Sequence, residues 1–82
     1  MNNAPVMVGI GFGNCVRVSG VDAIINPDSA PVKRMIQEAR DMNRLIDATQ
    51  GRKTRSVLVM TSGAVVLSAL QAETIAQRTN NE

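Results

Sequence analysis

The sequence predicts one small α+β domain, with a mainly antiparallel sheet, one principal helix and a short C-terminal helix. The chain has only 82 residues, which gives room for a single hydrophobic core. It contains several short apolar runs bounded by glycine, proline or polar turn residues, and one stretch carries helix-capping and helix-period signals. No linker or internal repeat divides it, so we treat residues 1–82 as one domain.

The first quarter of the chain predicts three short strands, at residues 6–10, 15–18 and 21–25. Gly9, Gly11 and Gly13 lie in and after the first strand, where glycines indicate a bulge or a sharp bend. The same glycines loosely match a dinucleotide-binding motif. That motif requires a helix after the glycines, whereas another strand-like run follows here, so nucleotide binding is not predicted.

Residues 30–42 predict the principal helix. The preceding segment, Asn-Pro-Asp-Ser at residues 26–29, ends the third strand at its proline and offers short polar side chains as helix caps. Apolar side chains recur at the spacing of one helix face. A separate stripe carries three cations, which either are simply solvated or contact an anionic partner: Lys33, Arg40 and Arg44.

Three further strands are predicted at residues 45–49, 55–60 and 64–70, followed by a short helix at 72–78 and a frayed tail at 79–82. The runs 57–60 and 64–67 are continuously apolar, which indicates that both faces of these strands are covered. One principal helix covers one face only, so we expect a second copy of the chain to cover the other. The predicted core or interface residues are Val57, Val59, Val66 and Leu67.

The composition argues against catalysis. The chain has no histidine, tryptophan or tyrosine and a single cysteine, Cys15, so the usual zinc and haem ligand sets and the Cys–His and Ser–His pairs are missing. We therefore expect no enzyme, cofactor, metal or small-molecule substrate. We also see no disulfide, signal peptide or membrane-spanning run, and expect a cytoplasmic protein with no membrane partner.

The strongest functional signal is the basic segment at residues 51–55, Gly-Arg-Lys-Thr-Arg. Its glycine lets the backbone reverse between two predicted strands, so a hairpin loop would present Arg52, Lys53 and Arg55 to an anionic partner. A short charge cluster alone is as often a solvated turn, but Arg17 and the helix stripe add further cations. Phe12 is the only aromatic residue. Backbone contact with duplex DNA therefore fits better than single-strand reading by stacked aromatics.

Four ordered motifs spread over nearly the whole chain carry a family resemblance. They are Ile-Gly-Phe-Gly-Asn at 10–14, the run from Asn-Pro-Asp-Ser at 26–37, Leu-Ile-Asp-Ala-Thr with Gly-Arg-Lys-Thr-Arg at 45–55, and Gln-Ala-Glu-Thr at 71–74. Together they resemble the RemA family of bacterial extracellular-matrix regulatory proteins. The resemblance implies a double-stranded DNA-binding transcriptional activator, of matrix or biofilm genes, with a LytTR-like fold. It also implies a closed homo-oligomeric ring, an octamer or similar.

The resemblance also suggests site residues. The family's Gly-Arg-Arg-Thr-Arg loop falls on residues 51–55, so Arg52 and Lys53 resemble its DNA contacts, although lysine lacks the planar fork of arginine. A basic residue of the family falls on Gly20, and Arg17 is the candidate to replace it. We therefore predict DNA contacts at Arg52, Lys53, Arg55 and Arg17, with secondary contacts at Lys33, Arg40 and Arg44. The alternative is a structural or adaptor ring that binds an acidic protein.

Overall fold

The computed structural model describes residues 5–80 as an α+β fold with two sheets and two α-helices. The sheets do not close into a barrel. The predicted strands and helices are all present, and each end lies within two residues of its predicted position. In chain order the elements are β1 (Met7–Gly11), β2 (Asn14–Arg17), a 3₁₀ turn (Val18–Gly20), β3 (Val21–Ile25), α1 (Ala30–Asp41), β4 (Leu45–Asp47), β5 (Ser56–Met60), β6 (Val65–Ser68) and α2 (Ala72–Asn80).

The strands form a two-stranded antiparallel hairpin, β1–β2, and a four-stranded sheet in the order β3-β5-β6-β4. The register of the hairpin shifts between Gly9 and Gly11, which agrees with the bulge or sharp bend predicted from the glycines. β3 and β6 both pair antiparallel with β5, whereas β4 pairs parallel with β6. The pairings are therefore mainly antiparallel, as predicted, but the parallel β4 makes the four-stranded sheet a mixed one.

The predicted hairpin loop at residues 50–54 is wrong, because β4 and β5 are not neighbours. β6 lies between them, so the connection from β4 to β5 crosses the end of β6. The burial of the strands explains this order. β5 and β6 are the continuously apolar strands and occupy central positions, while β4 carries the exposed Ile46 and Asp47 and lies at the edge.

The chain covers both faces of the four-stranded sheet by itself. On one face Val57, Val65 and Leu67 pack with Ala39 of α1. On the other face Leu58 and Val66 form a second cluster together with residues of β1 and α2: Val8, Ile10 and Ile75. The apolar strands therefore need no second copy to bury them. Our expectation that a second copy covers the other face was wrong, because the hairpin and α2 cover it. Val59 is half-buried, whereas the other three predicted core or interface residues are buried.

The ends of α1 follow from local chemistry. Its N-cap, Ser29, accepts a hydrogen bond from the backbone N–H of Val32 (3.3 Å). At the other end Asn43 has a left-handed φ of +59°, and the backbone N–H of Arg44 donates to the carbonyl of Ala39 (2.8 Å). This is a Schellman cap. It turns the chain away after Asp41, so Arg44 does not lie on the helix and the predicted stripe loses one of its three cations.

The second helix is longer than predicted. It continues through Thr79 and Asn80, where we expected a frayed tail, and the hydroxyl of Thr79 donates to the carbonyl of Ala76 (2.7 Å). The guanidinium of Arg78 donates to the carbonyl of Gly9 (3.0 Å), which ties the end of α2 to β1. These contacts order residues 79–80, while the rest of the predicted tail, residues 81–82, lies outside the described residues.

Candidate nucleic-acid interface

Four segments that are distant in sequence meet at one end of the four-stranded sheet. β3, β4 and β6 all finish at this end and β5 begins there, as the pairs Ile25–Val57 and Ser56–Ser68 show. The end is therefore lined by the β1–β2 turn, residues 26–29 before α1, the connection 48–55 and residues 69–73 before α2. The family-like sequence motifs contribute to all four of these segments.

The connection 48–55, which we call the basic connection, is held at both of its ends by β6. The backbone N–H of Ala48 donates to the carbonyl of Leu67 (2.9 Å), and that of Arg55 donates to the carbonyl of Ser68 (2.8 Å). Between these anchors Gln50 and Gly51 have left-handed φ angles of +55° and +79°. The reversal predicted from the glycine is thus present, although it spans a crossover and not a hairpin.

Thr49 organises the start of the connection. It is buried, and both its hydroxyl (2.6 Å) and its backbone N–H (2.9 Å) donate to the carboxylate of Asp47. The pKa of Asp47 is lowered from 3.8 by the Thr49 hydroxyl first and by its N–H second; burial opposes this, and the charge of Arg40 lowers it further. The backbone N–H of Arg52 donates to the carbonyl of Thr49 (2.9 Å). This small network therefore fixes the backbone position of Arg52, the first cation of the connection.

The three cations of the connection are exposed and border two adjoining cavities. Lys53 and Arg55 line both cavities, whereas Arg52 lines the second only. The first, of 460 Å³, also contains the carboxylates of Asp28 and Glu73 and the first residues of α2. The second, of 400 Å³, has three cations and no carboxylate among its lining residues, which are Gly11, Phe12, Arg52, Lys53, Arg55, Ala69 and Leu70. A phosphate is therefore best accommodated in the second cavity.

An aromatic side chain belongs to this basic surface. The guanidinium of Arg52 lies 5.7 Å from the centre of the Phe12 ring, within the range of a cation–π contact. This pairing was not predicted from the sequence, because Phe12 and Arg52 are brought together only by the fold. The glycines on either side of Phe12 were the available signal, since they indicate a tight turn that exposes the residue between them.

Not all of the other predicted cations lie at the end of the sheet that carries this connection, which we call the basic end. Arg17 is exposed and pairs with Met7 at the far end of the hairpin, about 10 Å along the strand from Asn14 at 3.3 Å per residue. The carbonyl of Gly20 accepts from the N–H of Thr61, which places Gly20 at the opposite end of the sheet as well. Arg44, beside Gly63, also lies there. Arg40 is in the last turn of α1, but its guanidinium donates back to Gln37 and its charge reaches Asp47. Lys33, in the first turn of α1, lies near the basic end.

Other kinds of site have little support in residues 5–80. Within this range no three cysteine, aspartate or glutamate side chains are grouped to hold a metal ion. No helix in this range is long and apolar enough to span a membrane. The buried polar side-chain atoms of the described residues all have hydrogen-bond partners, so no buried polar group is left facing a ligand.

Known proteins similar to this chain are regulatory by name. A family model described as "Extracellular matrix regulatory protein A-like" (RemA-like) matches residues 7–79. Proteins from Bacillus cytotoxicus, Bacillus mycoides and Bacillus cereus, each named "putative regulatory protein", are 59% identical to this chain over 73 residues. The matches cover 89% of this chain and 84% of each relative.

Proposed function

Because the chain belongs to the RemA-like family of extracellular matrix regulatory proteins, we propose that it is a regulatory protein that binds double-stranded DNA and activates transcription. The genes it controls would be those of the extracellular matrix or biofilm, and it would act in the cytoplasm. The observation that carries DNA binding is the cavity lined by Arg52, Lys53 and Arg55 without a carboxylate. Its three cations are held by a connection that is anchored at both ends.

Phosphate contacts are the natural use of these side chains. The formal net charge of the chain is only +2, so long-range attraction to DNA is weak and local clustering of charge has to supply the contacts. Arginine grips phosphate with a planar fork, and lysine adds a point charge. Three cations on one chain give weak binding, so tight binding requires several copies that act together on one DNA molecule.

A closed ring is the second part of the proposal, together with the LytTR-like fold that the family resemblance implies. Two separate surfaces expose large apolar side chains: Met42 and Ile46, beside the free edge of β4, and Val6 and Met7, at the start of the hairpin. Two different patches on one chain suit a head-to-tail contact, which closes into a ring when the rotation between subunits allows it. The ring interface is therefore proposed at these surfaces and not at the buried strands.

Salt-dependent titration of duplex DNA tests both parts. Each phosphate that is neutralised contributes about −0.9 to the slope of log K against log salt, so the three cations of one chain give a slope of about −3. A ring that engages several connections predicts a steeper slope. A slope of about −3 would contradict joint action by several subunits. Failure to bind duplex DNA at low salt would remove the DNA proposal and favour an adaptor ring for an acidic protein.

A further inference from the structure

Phe12 occupies a position that neither backbone preference nor burial explains. Its φ is +54°, a left-handed conformation that bulky side chains rarely adopt and that often marks a functional site. Its side chain is 50% exposed, although phenylalanine is usually buried. The other non-glycine residues with positive φ in the described chain are Asn43, which caps α1, and Gln50, in the basic connection. Phe12 thus pairs a strained backbone with an exposed aromatic ring.

The turn that presents Phe12 is firmly attached to the rest of the domain. The hydroxyl of the buried Ser68 donates to the carbonyl of Ile10 (2.7 Å), and the side-chain amide of Asn14 closes the turn on the carbonyl of Gly11 (3.2 Å). Gly11 lies so close to Leu70 that an added Cβ would be 3.5 Å from its Cγ. The backbone of the turn that carries Phe12 is therefore held in place at the tip of the hairpin.

The surroundings of the ring are chemically complementary to a DNA groove. Phe12, Ala69 and Leu70 supply apolar surface to the second cavity, and Arg52, Lys53 and Arg55 supply its charge. A partner that fits must offer phosphates next to a flat apolar group. A base step flanked by its sugar–phosphate backbone offers both, and proteins that bind the minor groove often insert phenylalanine at such a step.

We propose that Phe12 is a wedge that enters between two adjacent base pairs and partly unstacks them, while Arg52, Lys53 and Arg55 hold the neighbouring phosphates. This inference rests on the proposed DNA binding and adds to it a source of selectivity. Pyrimidine–purine steps such as TpA unstack most easily, so the wedge favours sites that carry such a step beside the phosphates that are held.

The test uses the full chain and two short duplexes of equal composition, one with 2-aminopurine at TpA steps and one with the same base at ApA steps. Unstacking raises the fluorescence of 2-aminopurine. We expect wild-type protein to raise the fluorescence of the TpA duplex and to bind it more tightly than the ApA duplex. Phe12→Gly should abolish the rise and weaken binding to the TpA duplex by about tenfold, the order expected for one lost contact between a base and an aromatic ring.

Two variants separate a wedge from a structural role. Glycine adopts a positive φ freely, so Phe12→Gly should fold at least as stably as wild type, and its loss of binding then cannot be assigned to misfolding. Phe12→Leu removes the cation–π contact with Arg52 but keeps an apolar wedge, so it should retain most of the fluorescence rise. If Phe12→Leu behaves as Phe12→Gly does, the ring acts only by positioning Arg52 and the wedge is wrong.

The outcomes also separate this inference from the proposed function. Wild-type protein that binds both duplexes equally, with no fluorescence rise on TpA, overturns the wedge and leaves DNA binding through the cations intact. Wild-type protein that binds neither duplex overturns the proposed function, and the wedge with it. A fluorescence rise that is lost in Phe12→Gly and retained in Phe12→Leu supports both the wedge and the proposed DNA binding.

Discussion

The hydroxyl of Thr49 donates a 2.6 Å hydrogen bond to the carboxylate of Asp47, and this contact fixes the start of the basic connection. Thr49 is 2% exposed, so its hydroxyl has no water to replace the carboxylate. Its carbonyl in turn accepts from the backbone N–H of Arg52. The backbone position of Arg52, the first cation of the connection, thus depends on the neutral side chain of Thr49.

Thr49→Val should loosen the connection, because valine keeps the shape of threonine and lacks the hydroxyl. A hydrogen bond to a charged group contributes about 1.5–3 kcal/mol, so we expect the free energy of unfolding in urea to fall by about that amount. DNA affinity should fall as well. Thr49→Ser keeps the hydroxyl and is the matched control. Equal stability of the valine and serine variants would show that the hydroxyl bond is not needed.

The stability of the domain should depend on pH through Asp47. Its pKa in the folded chain lies below the ordinary value of 3.8 because Thr49 donates to the charged carboxylate. A carboxyl with a depressed folded pKa contributes stability that is fully present above its unfolded pKa and is lost as pH falls through the folded pKa. Urea titrations at a series of pH values below 4 should therefore show a steeper loss for wild type than for Asp47→Asn. Parallel curves would contradict this role of Asp47.

One feature of the fold could be read from local sequence and two could not. The start of α1 was predictable because Ser29 is a good cap and Pro31 suits a first turn. The left-handed cap at Asn43, which takes Arg44 off the helix, was missed because asparagine is a weaker signal than glycine for such a cap. The parallel pairing of β4 with β6 depends on contacts between distant segments, which propensity and spacing do not contain.

The candidate site was predicted in its residues but not in its arrangement. Arg52, Lys53 and Arg55 stood out as a charge cluster within one short segment. Their relation to Phe12 and to residues 69–70 follows from three sequence-distant segments that meet at one end of the sheet. Arg17 was chosen for its proximity in sequence to Gly20, and only the register of the hairpin shows that it lies at the far end.

Ser68→Ala should detach the hairpin from the sheet. Ser68 is fully buried, and its hydroxyl donates to the carbonyl of Ile10; alanine would leave that carbonyl without its donor, which costs about 1–3 kcal/mol. Hydrogen exchange should become faster in β1 and β2. Ser62→Ala, at an exposed turn, is the control and should change neither property. Unchanged exchange in the hairpin of Ser68→Ala would show that other contacts hold it.

Ile46→Lys should dissociate the proposed ring without unfolding the chain. Ile46 is 54% exposed on the free edge of β4, so lysine is tolerated in the single chain but not in an apolar interface. Sedimentation velocity should show smaller species. The melting temperature should stay near that of wild-type protein measured at a dilution at which it is dissociated. Val66→Asp is the contrast. Val66 is buried, so this variant should lose its fold. An intact assembly of Ile46→Lys would place the interface elsewhere.

The most direct test of the account is a duplex-DNA titration of Arg52→Ala with Lys53→Ala, run beside sedimentation of the same protein. Both side chains are exposed on the connection and neither belongs to a core cluster, so we expect tight binding to be lost while assembly is unchanged. Arg17→Ala with Arg44→Ala removes the same charge at sites away from the connection and should bind nearly as wild type does. Wild-type affinity in an intact Arg52→Ala, Lys53→Ala assembly would contradict the basic connection as the DNA site.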